Sequence, residues 1–234
     1  MIRFAAVLLA VFPVLLPGKS KTPDPIKHIN AAAEVFDEVN STPDKGIPQE
    51  ILEKAHCIGI VPSLKHGGFI VGAKYGRGVL VCRDRRLAGG WTGPDFIRIE
   101  GGSIGFQIGA GETDLVFVIM NQHGVDKLMQ DKFVVGGDAG AMAGPIGRSA
   151  SAQTDALMHA EILSYSRARG IFAGIALTGS TLRPDNDENA AYYHRDEVTA
   201  QQIVTGQLRP PKSARVLTAT INKYVPSART TKHR

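Results

Sequence analysis

Gly101-Gly102-Ser103-Ile104-Gly105 matches G-x-S-x-G, the strand-to-helix elbow that exposes a nucleophilic serine for acyl transfer. The context does not support the elbow. Phe106-Gln107-Ile108 continues by strand-like alternation into Gly109-Ala110-Gly111, so no helix follows to supply oxyanion geometry, and Asp138 and His159 would be arbitrary triad partners. Gly109-Ala110-Gly111 is itself an incomplete dinucleotide fingerprint, because Asp114 stands at the third glycine position. Asp114, Asp138, Asp155 and Glu161 offer carboxylates without the spacing of a catalytic pair or a calcium loop. His56, Cys57, His66 and Cys82 are zinc-ligand types, yet adjacent strand residues point to opposite faces, which separates His56 from Cys57. Buried cysteines are the simpler reading. No cofactor or metal is expected, and a serine hydrolase using Ser103 stays only as a remote alternative.

The basic residues are more informative. Lys74 and Arg77 flank a glycine turn in this reading, and Arg83, Arg85 and Arg86 cluster at the end of the next strand. If those turns share one end of a sheet, they form a concave basic rim where glycine lets backbone N–H groups approach phosphate oxygens. Arginine suits bidentate phosphate contact. Arg148, and Arg167 with Arg169, form a second candidate group. Ordinary solvated turns are the competing reading, and for Arg148 a buried role bonding loop carbonyls.

These side chains need elements to position them. Ile26, Ile29, Ala33, Phe36 and Val39 recur at helical spacing after Pro25, which predicts a helix over residues 25–39; a shorter one follows from Pro48 to Ala55. From Cys57 the period shortens. Strands are predicted at Cys57–Pro62, Phe69–Tyr75, Val79–Arg83, Phe96–Glu100, Ser103–Gly109 and Asp114–Met120. Gln122–Gln130 reads as a helix and Gly136–Arg148 as a loop; Ala160–Arg167 and Ile171–Leu177 form a final strand pair. Arg183–Asn189 reads as a polar loop, Asp196–Thr205 as a helix ended by Gly206, and Ser213–Val225 as a basic amphipathic helix. Twenty-three of the 26 glycines lie between Gly59 and Gly179. That density favours a curled, barrel-like, mainly antiparallel sheet over a flat one. The fold class is therefore α+β, with helices flanking the sheet at both ends of the chain.

The 234 residues, 43% hydrophobic and 21% charged, suit one globular domain. Phe4–Leu16 is apolar but too short for the roughly 20 residues that span a bilayer, so residues 1–20 read as an export signal, with a domain over 21–206 and a basic helix and tail over 207–234. No lipoprotein cysteine stands near that stretch, and the expected location is the periplasm or a membrane surface. In that oxidising setting Cys57 and Cys82 can bridge if their strands are neighbours. The net charge of +5 is uneven: residues 206–234 hold seven Lys and Arg with no acid, whereas residues 21–205 carry a net −4. Such a tail fits an anionic lipid surface better than nucleic acid once the chain is exported.

The ordered pieces carry a resemblance. Gly67-Gly68 with Gly72, Gly76 and Gly78, then Trp91-Thr92-Gly93-Pro94, Gly102-Ser103-Ile104-Gly105-Phe106, Asp114–Met120, Gly144-Pro145-Ile146-Gly147-Arg148, Tyr165-Ser166-Arg167-Ala168-Arg169-Gly170 and Asn189 with Tyr192 occur in sequence. The set resembles the SYLF-domain family across about residues 26–204. The resemblance implies recognition of anionic or phosphoinositide-like headgroups, with an N-terminal amphipathic helix in membrane contact. Mapped here, headgroup candidates are Lys74, Arg77, Arg83, Arg85, Arg86, Arg148, Arg167 and Arg169; membrane-contact candidates are Ile26, Ile29, Phe36, Leu217, Ile221 and Tyr224. A bound acyl chain stays open. Actin binding, known in eukaryotic relatives, is not expected, because the chain shows no SH3-like second domain and begins with an export signal. The alternative is an envelope interaction module that meets an acidic protein or polysaccharide.

Overall fold

Apolar runs in the middle of this chain are continuous because their strands are covered on both faces. The computed structural model describes residues 24–41, 46–68, 71–84, 86–87, 90–104, 109–130, 132–136, 140–147, 160–168, 170–175, 177 and 179–225. The apolar N-terminal stretch and the end of the basic tail lie outside them.

Helix α1 (Pro25–Asn40) begins with proline in its first turn, and Asp24 accepts the Lys27 N–H at 3.2 Å. Helix α2 (Gln49–Lys54) leads into β1 (Cys57–Gly68), β2 (Val71–Cys82), β3 (Asp95–Ile104) and β4 (Gly109–Ile119). There follow α3 (Gln122–Leu128), short β5 (Phe133–Val134) and β6 (Ala141–Ala143), and the hairpin of β7 (Ile162–Ala168) with β8 (Ile171–Gly174). Strand β9 (Ser180–Pro184), α4 (Asn186–Tyr193) and α5 (Ala200–Val204) come next; a 3-10 turn then enters α6 (Arg215–Tyr224).

The strands form one sheet in the order β5-β9-β3-β2-β1-β4-β7-β6, with β8 also on β7. Every pairing is antiparallel except β6 with β7. Alternate residues divide between two cores. Ile58, Ile60, Val79, Val81, Phe96 and Val116 meet the helices, whereas Val61, Leu80, Ile97, Leu115 and Phe117 face the opposite side with Phe133 and Ile162. Residues from both ends of the strand order share that second core, so the sheet curls around it.

Several expectations change. Gly76 and Gly78 lie inside β2 rather than in a turn, so the two strands read at Phe69–Tyr75 and Val79–Arg83 are one. A Cβ on Gly76 would come within 2.7 Å of Val61 and 2.8 Å of Leu64, because β1 bulges between Ile60 and Lys65 and its side chains cross this space. The segment read as polar loop at Arg183–Asn189 completes β9 and starts α4, whose first turn carries Asp187 and Glu188 where the helix dipole favours anions. Within the expected loop Gly136–Arg148, Ala141–Ala143 form β6.

Close approach also fixes Gly59. Its missing side chain is replaced by the Phe117 ring, whose Cζ would lie 2.0 Å from an added Cβ. Phe117 is itself buried and has no open space to retreat into. Gly59→Ala should therefore destabilise the fold by about 2–3 kcal/mol. Gly102→Ala, where the nearest atom is 3.8 Å away, should change stability far less. Urea unfolding of both variants checks this, and equal midpoints would contradict it.

Candidate functional site

The described candidates of the expected basic rim, Lys74, Arg77, Arg83 and Arg86, do not act as one set of free cations. Arg83 donates to the carbonyls of Ala55 at 3.0 Å and Leu52 at 3.1 Å, which closes the end of α2, and its guanidinium lies 4.7 Å from the centre of the Trp91 ring. Arg86 grips Asp84 through Nε at 2.9 Å and Nη2 at 2.8 Å, and reaches the Thr205 carbonyl. That side-chain pairing, ahead of the opposing burial, holds the Asp84 carboxyl below its ordinary range. Arg167 donates to Asp114 at 2.7 Å and pairs with Glu38 on α1. Arg85, Arg148 and Arg169 lie outside the described residues.

Arg77 belongs to a buried charge cluster. In register, Arg77 of β2 lies opposite Arg98 of β3, and Arg98 opposite Arg183 of β9. Like charges at opposed positions repel. The compensating anions come from the β9–α4 junction: Asp185 sits 3.4 Å from Arg77 and 3.5 Å from Arg98, and Glu188 lies 3.8 Å from Arg77 and bonds His28 of α1. Arg183 pairs with Glu100 at 3.4 Å. Side-chain exposure is 2% for Asp185 and 1% for Glu188. Removing a partner from buried carboxylates costs about 3–5 kcal/mol, less here because the guanidinium is 35% exposed. One lipid contact supplies about 1 kcal/mol. Arg77 is therefore committed to the fold.

Lys74 differs. It is half-buried, and neither a hydrogen bond nor an ion pair joins it to any described residue. Burial pushes its ammonium pKa down. By strand alternation it faces the side occupied by Leu80 and Cys82, opposite the helices. It lies between His66 of β1 and Gly101 of β3 in register, and Gly101 opposes Ser180 of β9. A Cβ on Gly101 would meet Lys74 Cγ at 3.4 Å and Ser180 Cα at 3.1 Å, so the lysine stem crosses that glycine toward β9. The Ser180 hydroxyl is buried and has no hydrogen-bond partner among the described residues. An oxyanion could accept from the ammonium here without competing with a carboxylate.

The membrane-contact candidates sit differently from the amphipathic-helix expectation. Ile29, Phe36, Leu217 and Ile221 are fully buried, packed with one another and with the sheet. The apolar stripes of α1 and α6 match each other, so these four are core residues. Tyr224 is partly buried, its hydroxyl donating to Asp37 at 2.8 Å, whereas Ile26 remains 45% exposed.

The remaining motifs are architectural. Ser103 lies in β3 opposite Gly72, so it continues a strand instead of forming a nucleophile elbow. Cys57 and Cys82 oppose each other on β1 and β2, with Cα atoms 4.0 Å apart, and are joined as a disulfide that occupies both thiols. Glu161 accepts the Gly140 N–H and bonds His123. In the Trp91–Pro94 corner, Thr92 Oγ1 accepts the Cys82 N–H at 3.0 Å and the Pro94 carbonyl accepts Tyr193 at 3.0 Å. Asn189 accepts the Phe96 N–H at 2.8 Å and donates to Asp95 at 2.7 Å. Sequence reading missed Asp95, Asp185 and Glu188; the available signal for the last two was the short acidic run before Asn189, and Asp95 carried none.

The family model named Ysc84, described as "Las17-binding protein actin regulator", matches residues 100–224. LAS seventeen-binding protein 3 of Saccharomyces cerevisiae is 34% identical over 191 residues, which cover 79% of this chain and 41% of that protein. SH3 domain-containing YSC84-like protein 1 of Xenopus laevis is 32% identical over 184 residues, covering 78% of this chain and 54% of that protein. The chain thus spans about half the length of the curated relatives it matches. These descriptions overturn the expectation that actin has no place here, since the matching family is described by actin regulation itself.

Asp95 makes a pH prediction. It is buried, and desolvation raises its carboxyl to about 7 against the hydrogen bond from Asn189, which lowers it. The folded state therefore holds a proton that the unfolded chain releases near pH 4, so stability should fall as pH rises from about 4 to 7. Asp95→Asn should flatten that slope in thermal melts across this range. An unchanged slope would show that Asp95 does not titrate there.

Proposed function

The chain belongs to the SYLF family, the Ysc84 family of the matching model, and from that premise we propose that it is a non-enzymatic adaptor that binds anionic lipid at a membrane surface. The observation that carries this reading is Lys74, a half-buried cation with no counter-ion among the described residues. The described arginine candidates are held by Asp84, Asp114, Asp185 or backbone carbonyls, whereas Lys74 has donors to give. No described helix is long and apolar enough to cross a membrane, and the reading requires only surface attachment. The Cys57–Cys82 disulfide supports placing the protein in an oxidising compartment.

A second reading follows from the family's description. The same scaffold is proposed to engage an actin-regulatory partner, as the names of its longer relatives suggest. Pelleting with filamentous actin, with and without a Las17-type protein, tests this; failure to pellet in both conditions would refute it.

For the lipid reading, the protein should co-sediment with vesicles containing phosphatidylglycerol and release them as salt rises. Lys74→Met should weaken that association about fivefold, the loss of one near-surface cation. Equal, negligible pelleting on neutral and anionic vesicles at low salt would overturn the reading.

A further inference from the structure

The apolar stripe of α6 faces inward, which leaves its other side to solvent. Leu217 and Ile221 are fully buried, whereas Arg215, Val216, Ala219 and Lys223 are exposed and recur at the three- and four-residue spacing of one helix face. Val216 is 49% exposed. Arg209 and Lys212 are exposed in the segment that enters the helix. Lys223 is committed to Asp37 at 2.7 Å, but Arg209, Lys212 and Arg215 make no ion pair with any described residue. No acidic residue occurs from Gly206 to Arg234. The carboxylates of the adjoining α1 do not cancel this charge. Asp37 is taken by Lys223 and Glu38 by Arg167, while exposed Glu34 shares its helix face with exposed Lys27, seven residues earlier.

We propose that this outward face of α6 is a docking surface for an anionic bilayer, with Lys212 and Arg215 among the headgroups and Val216 at their apolar boundary. The proposal rests on the lipid-binding reading and adds to Lys74 a second contact on the other side of the sheet. Free cations around one exposed aliphatic side chain suit the anionic headgroups and the apolar boundary of such an interface. Position separates the two contacts. Helix α6 packs over Trp91, which donates to Asn222 at 3.1 Å, and Ser213 just before it lies 3.0 Å from the Tyr192 hydroxyl. The Tyr192 ring meets Phe96 edge-on, with centres 5.1 Å apart. Phe96 opposes Val79, which stands five residues, about 17 Å, beyond Lys74 along β2. Val79 and Phe96 face the helices, whereas Lys74 projects to the opposite side. A flat bilayer on α6 therefore does not reach Lys74, and one molecule can hold two bilayers together.

The test uses full-length protein with its disulfide intact, vesicles of phosphatidylcholine with or without phosphatidylglycerol, and an environment-sensitive fluorophore placed through Val216→Cys. Vesicles with phosphatidylglycerol should move the label to an apolar signal, and neutral vesicles should leave it unmoved. The anionic vesicles should also cluster, read by light scattering, because two faces of one molecule bind. Lys212→Gln combined with Arg215→Gln should keep the melting temperature, since neither side chain has an ion pair to lose among the described residues. That double variant should weaken co-sedimentation about twentyfold, the loss of two near-surface cations, and abolish clustering. Co-sedimentation with the 216 label unmoved and the double variant undiminished overturns the α6 face while the lipid-binding reading survives. A label shift without clustering supports the α6 face and overturns the separate contact at Lys74. Pelleting with filamentous actin that the double variant loses, while vesicles leave the label unmoved, assigns the face to an acidic protein and overturns the proposal. Absence of co-sedimentation for unmodified protein overturns both the face and the lipid reading.

Discussion

The fold depends on β1 being covered from four sides. It hydrogen-bonds to β2 and β4 along its length, while Ile58 and Ile60 enter the helical core and Val61 and Leu64 enter the other. A strand so enclosed leaves no room for two side chains where facing positions crowd. The crowded face solves this by substitution: the Phe117 ring takes the space that a side chain at Gly59 would need, and Leu64 takes the space at Gly76. Glycine density is thus a packing requirement of the curled face, and the bulge after Ile60 is what swings Val61 and Leu64 across β2.

The same closeness decides the electrostatics. Opposed strands bring Arg77, Arg98 and Arg183 into one row, an arrangement that needs anions nearby. Asp185 and Glu188 supply them from the β9–α4 junction, and Glu188 also bonds His28, 160 residues away in the chain. Helix α1 is then fastened at its other end through Asp37 to Lys223 and Tyr224 and through Glu38 to Arg167. Most described arginine candidates are therefore joints between layers. What remains available for a ligand is small and specific.

Legibility followed the range of the interaction. The span of α1 was readable because Pro25 and the apolar residues at helical spacing are local signals, and the curled sheet was readable because glycine marks crowding wherever it occurs. The continuity of β2 was not, since Gly76 looks like a turn until Val61 and Leu64 are placed over it. Arg77 looked like a ligand for the same reason: its carboxylates are more than 100 residues downstream and carry no spacing that points back to it. The amphipathic pattern of α1 and α6 was correctly periodic, but periodicity does not say what covers an apolar stripe; here each helix covers the other.

That mutual covering bears on how a membrane could be met. An amphipathic helix contributes to membrane binding only with its apolar face free, and releasing Phe36 or Leu217 from the core would forfeit burial worth about 2–3 kcal/mol for each side chain. Side chains already in solvent carry no such debt. Val216 stands on the outward face of α6, whose inner face is fixed by Leu217 and Ile221, so it can be presented without unfolding anything. Rigid presentation limits the area that can be inserted, and with few apolar side chains the charge of the surface gains weight. Under the proposed lipid reading, a half-buried lysine with no counter-ion among the described residues fits attachment that is reversible and sensitive to the composition of the bilayer.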